Sequence, residues 1–275
     1  MKYAAITLVL GALLVSPAAP VMGAGKATIN WRAQNDNKLL DLLLSKDLNV
    51  AIRAAKELGN RKSPLTMDNL LQQLLLGHPP KLSLAMLEAL EVRKDPKSYK
   101  TLVFYATHRS PELRVAALQA LSKLTYKTNS KEYLHINELL LNSLRDYSAI
   151  VRGKAAWHLG KRKVLKAEKP LLQLFGKGSV PATQALGFIG GIRTARAFAI
   201  SLENRKTQKE VIVNTIGSLL LREDFGPEPV RVQLVKILGT INLPGAQTVL
   251  LKYSGSGPNQ FARSRKLAFK ILSSK

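Results

Sequence analysis

Val151-Arg152-Gly153-Lys154-Ala155-Ala156-Trp157-His158-Leu159-Gly160 is the stretch that decides the fold. At 100° per residue its apolar positions, Val151, Ala155, Ala156 and Leu159, fall on one helical stripe, and Gly160 is the residue type that commonly ends a helix. The same spacing recurs at Leu113-Arg114 with Ala117, Leu118, Leu121 and Ser122, and at Val230-Arg231 with Leu234, Val235, Leu238 and Gly239. Looser copies are Ala54-Ala55-Leu58-Gly59, Met86-Leu87-Leu90-Glu91, Ala185-Leu186-Ile189-Gly190, Ile212-Val213-Ile216-Gly217, and Arg265 with Ala268, Phe269 and Leu272. The eight copies end at 59, 91, 122, 160, 190, 217, 239 and 273, in steps of 22 to 38 residues.

A period near thirty is one helical hairpin per repeat. Upstream of most copies lies a second amphipathic segment: Leu39 to Leu44, Leu70 to Leu76, Tyr99 to Thr107, Ile136 to Leu144, Leu171 to Phe175, Ala195 to Leu202 and Thr248 to Leu251. We call these A helices and the patterned ones B helices. The 22-residue step is too short for two full helices, so a stunted A helix or an irregularity is expected over 218–224. Breakers such as Pro64, Pro79-Pro80, Pro96, Pro111, Pro181, Pro227 and Pro244 stand at the boundaries. One hairpin cannot bury its stripe alone, whereas stacked neighbours can. The expectation is all-α: a single α-solenoid domain over residues 24–275, with about eight stacked hairpins.

The pattern at Arg152 to Gly160, with Asp146 just before it, resembles the second helix of a HEAT repeat, and the short period is similar to HEAT-like repeats of the phycobilisome-lyase type. The resemblance covers roughly residues 37 to 275. It implies right-handed stacking with the B helices on the concave side. Positions 51, 83 and 182 carry Ala, Ser and Ala where the family prefers Arg, so the Asp–Arg ladder between repeats is incomplete.

Composition agrees with helices. The chain has 275 residues, 46% of them hydrophobic, enough for a sizeable core, and only 6% aromatic. Its 42 Lys and Arg against 18 Asp and Glu give a formal charge of +24. That balance favours acidic partners. With no cysteine there is no disulfide framework, no thiolate metal site and no cysteine nucleophile.

The first 23 residues read as an export signal: a basic Met1-Lys2-Tyr3, an apolar run from Ala4 to Ser16, and a small-residue tail from Pro17 to Gly23. Val21 and Gly23 place cleavage before Ala24. An uncleaved anchor is the alternative, disfavoured because the run falls short of the ~20 residues a spanning helix needs. A periplasmic or extracellular location is therefore expected, and no later segment is long enough to span.

Catalytic signatures are missing. His78, His108, His135 and His158 lie far apart, without the spacing that puts two ligands on one helix face. The glycines at 187–191 and 255–257 do not follow a phosphate-loop pattern, and no Gly-x-Ser-x-Gly elbow occurs. No carboxylate pair stands out for acid/base work. No enzyme activity, metal or cofactor is expected.

The positive charge is placed more tellingly. Just after the repeat ends stand Arg61-Lys62, Arg93-Lys94, Lys123, Lys161-Arg162-Lys163, Arg193 and Lys275. Two readings compete: an anion-binding edge, or cations that complement helix dipoles at ~0.3 to 1 kcal/mol each. The dipole explains one cation per end, not three in a row. The excess is densest at Arg152, Lys154, Lys161, Arg162, Lys163, Lys166 and Lys169, against Glu168 alone.

Trp157 points away from the stripe of its own helix, beside Lys154, in a column whose equivalents are Arg53/Lys56, Gln184/Gly187 and Gln233/Lys236. It is either an interface anchor or a ring folded against the adjacent repeat. The expected partner-binding residues are Trp157, Lys154, Lys161, Arg162, Lys163, Lys166, Arg61, Lys62, Arg93 and Lys94.

Three functions follow. The first is an exported, non-enzymatic scaffold for an acidic protein or anionic envelope polymer. The second is a nucleic-acid binder like the HEAT-like DNA glycosylases, opposed by the export signal and the scarcity of aromatics. The third is a lyase or chaperone-like enzyme of the bilin-lyase type, which no residue constellation supports.

Overall fold

A computed structural model describes residues 29–204 and 208–274; the expected export segment and Lys275 lie outside them. Among the described residues, fifteen α-helices follow one another and no strand occurs. They pair as α1 (Asp36–Leu43) with α2 (Leu48–Gly59), α3 (Pro64–Leu76) with α4 (Pro80–Arg93), α5 (Tyr99–Tyr105) with α6 (Pro111–Lys123), and α7 (Lys131–Ser143) with α8 (Ala149–Lys161). Next come α9 (Glu168–Gly176) with α10 (Val180–Ile189), α11 (Ile192–Asn204) with α12 (Lys209–Leu220), α13 (Glu228–Thr240) with α14 (Pro244–Ser256), and a last helix, α15 (Ala262–Ser273). Among these helices, none is long and apolar enough to cross a membrane.

The helix starts follow from local chemistry. Asn35, Asp47, Ser130 and Ser179 accept hydrogen bonds from first-turn amides. Pro64, Pro80, Pro111 and Pro244 occupy the first helical position, where a missing N–H costs nothing.

The patterned helices form one continuous column, each of α2, α4, α6, α8, α10 and α12 packing on the next. The outer helices touch their neighbours sparsely, so the B layer is the tightly spaced, inner side. Its stripe residues, Ala54, Ala55, Leu58, Val151, Ala155, Ala156 and Leu159 among them, are fully buried. Burial of each such Leu contributes ~1.5 to 3 kcal/mol. Small residues set the spacing. A Cβ on Gly160 would sit 3.0 Å from the Cα and O of Ala185, and one on Gly59 would sit 2.9 Å from the Cα of Ala89. Gly59 is the last residue of α2, but Gly160, Gly217 and Gly239, expected as helix ends, lie within α8, α12 and α13, so these glycines serve as contact points with neighbouring helices rather than as terminators. Paired helices, this inner column and one complete Asp–Arg rung between Arg114 and Asp146 make the architecture HEAT-like.

The C-terminal end departs from the expected register. The chain leaves α12 through residues 221–227 without any helix, and no stunted A helix forms there. Instead, α14 takes the inner position against α12, while α13 lies beside α11 and packs on α15, which covers both α13 and α14. The hairpins thus number seven, closed by a single helix. The pattern on α13 is intact, with Leu234, Val235 and Leu238 buried and Gly239 against Ile271 of α15. A stripe fixes which face of a helix is buried, not which layer the helix joins.

Arg231 locks this junction. Its side chain is fully buried and donates to the carbonyls of Leu220 at 2.6 Å, Arg222 at 2.5 Å and Phe225 at 2.6 Å, while its guanidinium lies 3.5 Å from the ring centre of Phe261. The end of α12, which would otherwise leave carbonyls without partners, is thereby satisfied.

Two glycine substitutions separate packing from propensity. Gly160→Ala should cost about 1 to 3 kcal/mol by overpacking against α10. Gly255→Ala in α14, where a Cβ meets nothing within 4 Å, should gain roughly 0.5 to 1 kcal/mol. Urea denaturation of both variants measures the difference.

Candidate functional site

The B-to-A turns line up along one edge, and the structure divides the expected basic residues into two kinds. Arg61, Arg93 and Arg162 reach back along the stack, whereas Arg193 is exposed. Arg61 donates to the carbonyls of Arg32 at 3.1 Å and Gln34 at 3.0 Å and lies 3.4 Å from Glu57. Arg93 donates to the carbonyls of Leu58 and Arg61, to Ser63 O at 3.0 Å and to Thr66 Oγ1 at 2.9 Å. Arg162 donates to Asn137 Oδ1 at 2.7 Å and Ser122 O at 3.3 Å, with its plane over Tyr133. Arg61, Arg93 and Arg162 are therefore each engaged within the stack, although Arg61 Nε, Arg93 Nε and Arg162 Nη2 make no hydrogen bond there. Arg222, which reaches Gly190 O at 2.9 Å, belongs to the same set; it falls five residues after Gly217, outside the window that the repeat suggested.

Lysines stay in water. Lys62, Lys94, Lys161, Lys163 and Lys166 are exposed. The difference follows from chemistry: a planar guanidinium spans several carbonyls at once, whereas an ammonium is a strongly hydrated point charge. Lys123, by contrast, is neutralised by Glu91 at 2.5 Å. Glu168, the acid nearest in sequence to the densest patch, is turned away to cap the start of α11, accepting from Gly191 N at 2.7 Å and Thr194 Oγ1 at 2.9 Å, while stacking brings Glu91 near Lys154 and Asp224 near Lys163.

Two of the exposed lysines hold an unusual backbone. Lys163 has φ +53°, and the amides of Lys163 and Val164 donate to the carbonyls of Gly160 and Leu159, both at 3.0 Å. This is a Schellman ending for α8 with lysine where glycine is usual. Lys94 has φ +54° at the end of α4.

On the inner face the half-buried Trp157 meets Phe188 of the next repeat edge to face, centroids 5.5 Å apart. The Lys161 ammonium lies 4.9 Å from the Trp157 ring and 4.5 Å from Phe188. Trp157 and Phe188 form one wall of a groove of about 250 Å³ whose other lining includes Gln184, Asn214, Thr215 and Ser218. Phe188 escaped the sequence reading because its partner is a full repeat away. Two inner helices earlier, at the end of α4, Glu91 accepts from Gln119 Nε2 on both oxygens, each at 2.8 Å, besides its pair with Lys123. Lys154, half-buried, lies close enough to act electrostatically on both Glu91 and His158. Burial, then the positive charge of Lys154 with smaller effects of Lys123 and Arg162, pushes His158 down to about 4 against a partly offsetting pull from Glu91, and its Nε2 is buried without a partner. This imidazole is neutral at physiological pH.

Among known proteins, the complex of CpcE and CpcF of phycocyanin lyase from Nostoc sp. PCC7120 is similar in fold, with a TM-score of 0.46 over 93% of this chain and 100% of that one at 18% identity. Two engineered proteins give TM-scores of 0.36 and 0.37 over 88% of this chain and 98% and 100% of theirs, at 18% and 16% identity. No protein-family model matches the sequence, and no curated protein does.

His158 carries a pH signature. Its folded value lies below the unfolded one near 6.5, so the unfolded state binds more protons in between and stability falls as pH drops from about 6.5 to about 4. The loss should approach about 3 kcal/mol. Melting curves across this range should be flatter for His158→Gln than for the unaltered protein.

Proposed function

We propose that this chain is an exported, non-enzymatic HEAT-like scaffold that holds an acidic protein or an anionic envelope polymer. The exposed lysines of the B-to-A edge give attraction, and the Trp157–Phe188 groove gives a central anchor. The observation that carries this reading is lysine in the left-handed region at 94 and 163. A side chain there costs roughly 1 to 2 kcal/mol, which glycine avoids. A cation at a helix C-terminus returns only about 0.3 to 1 kcal/mol. Capping alone therefore favours glycine, and a charge kept at both positions points to a use outside the fold. The apolar run at 4–16 supports export, and the aromatic pair with an ammonium above it has the composition of a binding hot spot.

The test uses Lys94→Gly with Lys163→Gly, which removes two charges while relieving backbone strain. Stability should hold or rise by about 1 kcal/mol, whereas retention of poly-L-glutamate across a salt series should weaken and its salt dependence flatten. Unchanged retention would overturn the edge. In a separate variant, Trp157→Ala should cost about 2 to 3 kcal/mol, less than a fully buried tryptophan, and calorimetry measures it.

A further inference from the structure

The single complete Asp–Arg rung shows what the next one lacks. Arg114 of α6 donates Nε and Nη2 to Asp146 Oδ2 and Oδ1 at 2.8 and 2.7 Å. Asp146 lies two residues before Ser148, the residue that precedes α8, and also accepts from Ser148 N at 2.8 Å. In the next repeat the arginine of the pattern is Arg152, and the residue two before Ser179, which caps α10, is Lys177. Where repetition calls for a carboxylate, the chain has an ammonium.

Arg152 is half-buried and spends one nitrogen, Nη1, on the carbonyls of Asp146 and Tyr147 at 2.7 and 2.9 Å. Among the described residues, no carboxylate pairs with the rest of its guanidinium. Arg145, Arg152 and Lys177 line one cavity of about 680 Å³, on the A-to-B edge, away from the lysine edge. Asp146 also reaches this cavity, but Arg114 and Ser148 already occupy both its oxygens. The cavity lining thus holds two arginines and a lysine against one carboxylate that is already engaged by Arg114, an excess of positive charge that suits an anion with more than one charge. Leu144, Leu174, Pro170 and Pro181 add apolar wall, and the space exceeds what a bare oxyanion fills.

We propose that this cavity binds a small organic phosphate, its phosphoryl oxygens standing in for the missing rung carboxylate and its apolar body lying on the Leu and Pro side. The site is separate from the edge and groove assigned to the scaffold role.

Phenyl phosphate and inorganic phosphate are the probes, titrated at constant ionic strength while Tm is followed. Phenyl phosphate should raise Tm saturably in the unaltered protein, and inorganic phosphate should do so more weakly. Arg152→Gln should weaken the apparent affinity about tenfold or more, the scale of a lost charge-assisted hydrogen bond. Lys177→Asp rebuilds the rung: its Tm without ligand should rise, and phenyl phosphate should no longer protect it. Reversing Lys161 and Lys163 to Glu should leave the protection intact. Equal protection of Lys177→Asp, no protection of the unaltered protein, or loss of protection in the Lys161/Lys163 variant would each overturn the site.

Discussion

A helix that ends in a solenoid leaves its last carbonyls without intrahelical partners, at the place where the next repeat must dock. In this chain an arginine from a later turn supplies the donors. Arg93 does so for the end of α2, Arg162 for α6, Arg222 for the end of α10 and Arg231 for α12. Each contact joins residues that are neighbours in space but are mostly about one repeat apart in sequence. The register between successive hairpins therefore depends on these guanidinium groups as much as on the apolar stripe.

That demand explains how the excess of positive charge is partitioned. A guanidinium can serve two or three carbonyls and still lie on a ring, as Arg162 does over Tyr133 and Arg231 over Phe261. Lysine cannot match this geometry, and most lysines of the same turns remain in solvent. The edge is thus a structural seam of arginine beside a layer of exposed lysine.

Close approach between the inner helices gives the interior its character. Gly59 against Ala89, Gly160 against Ala185 and Gly217 against Val249 leave no room for larger residues, so repeats interlock at fixed points. Where a repeat's small residues and arginine are used differently, the layers shift. Arg231 folds inward on the loop that follows α12, the outer helix before α14 is reached directly, and the solenoid closes with α15 over both.

A 3.6-residue period and its breakers are local properties of the chain, so the fold class, the buried stripes and the positions of most helices were legible in the sequence, although most outer helices begin several residues before the segments read there. Val151, Ala155, Ala156 and Leu159 were legible as core from spacing alone. It could not assign α13 to the outer layer, since its stripe has the same spacing as those of the inner helices and only the packing of α14 on Gly217 decides between them. Nor could it tell Arg93 from Lys94, adjacent cations of which one is spent on a neighbouring repeat and the other is exposed. Trp157 was visible as an oddity, but its partner Phe188 and the ammonium above them lie on different turns and repeats. These are distinctions of distance across the stack. Tertiary structure decided them because stacking brings together residues some thirty apart, and no local period encodes which donor reaches which carbonyl.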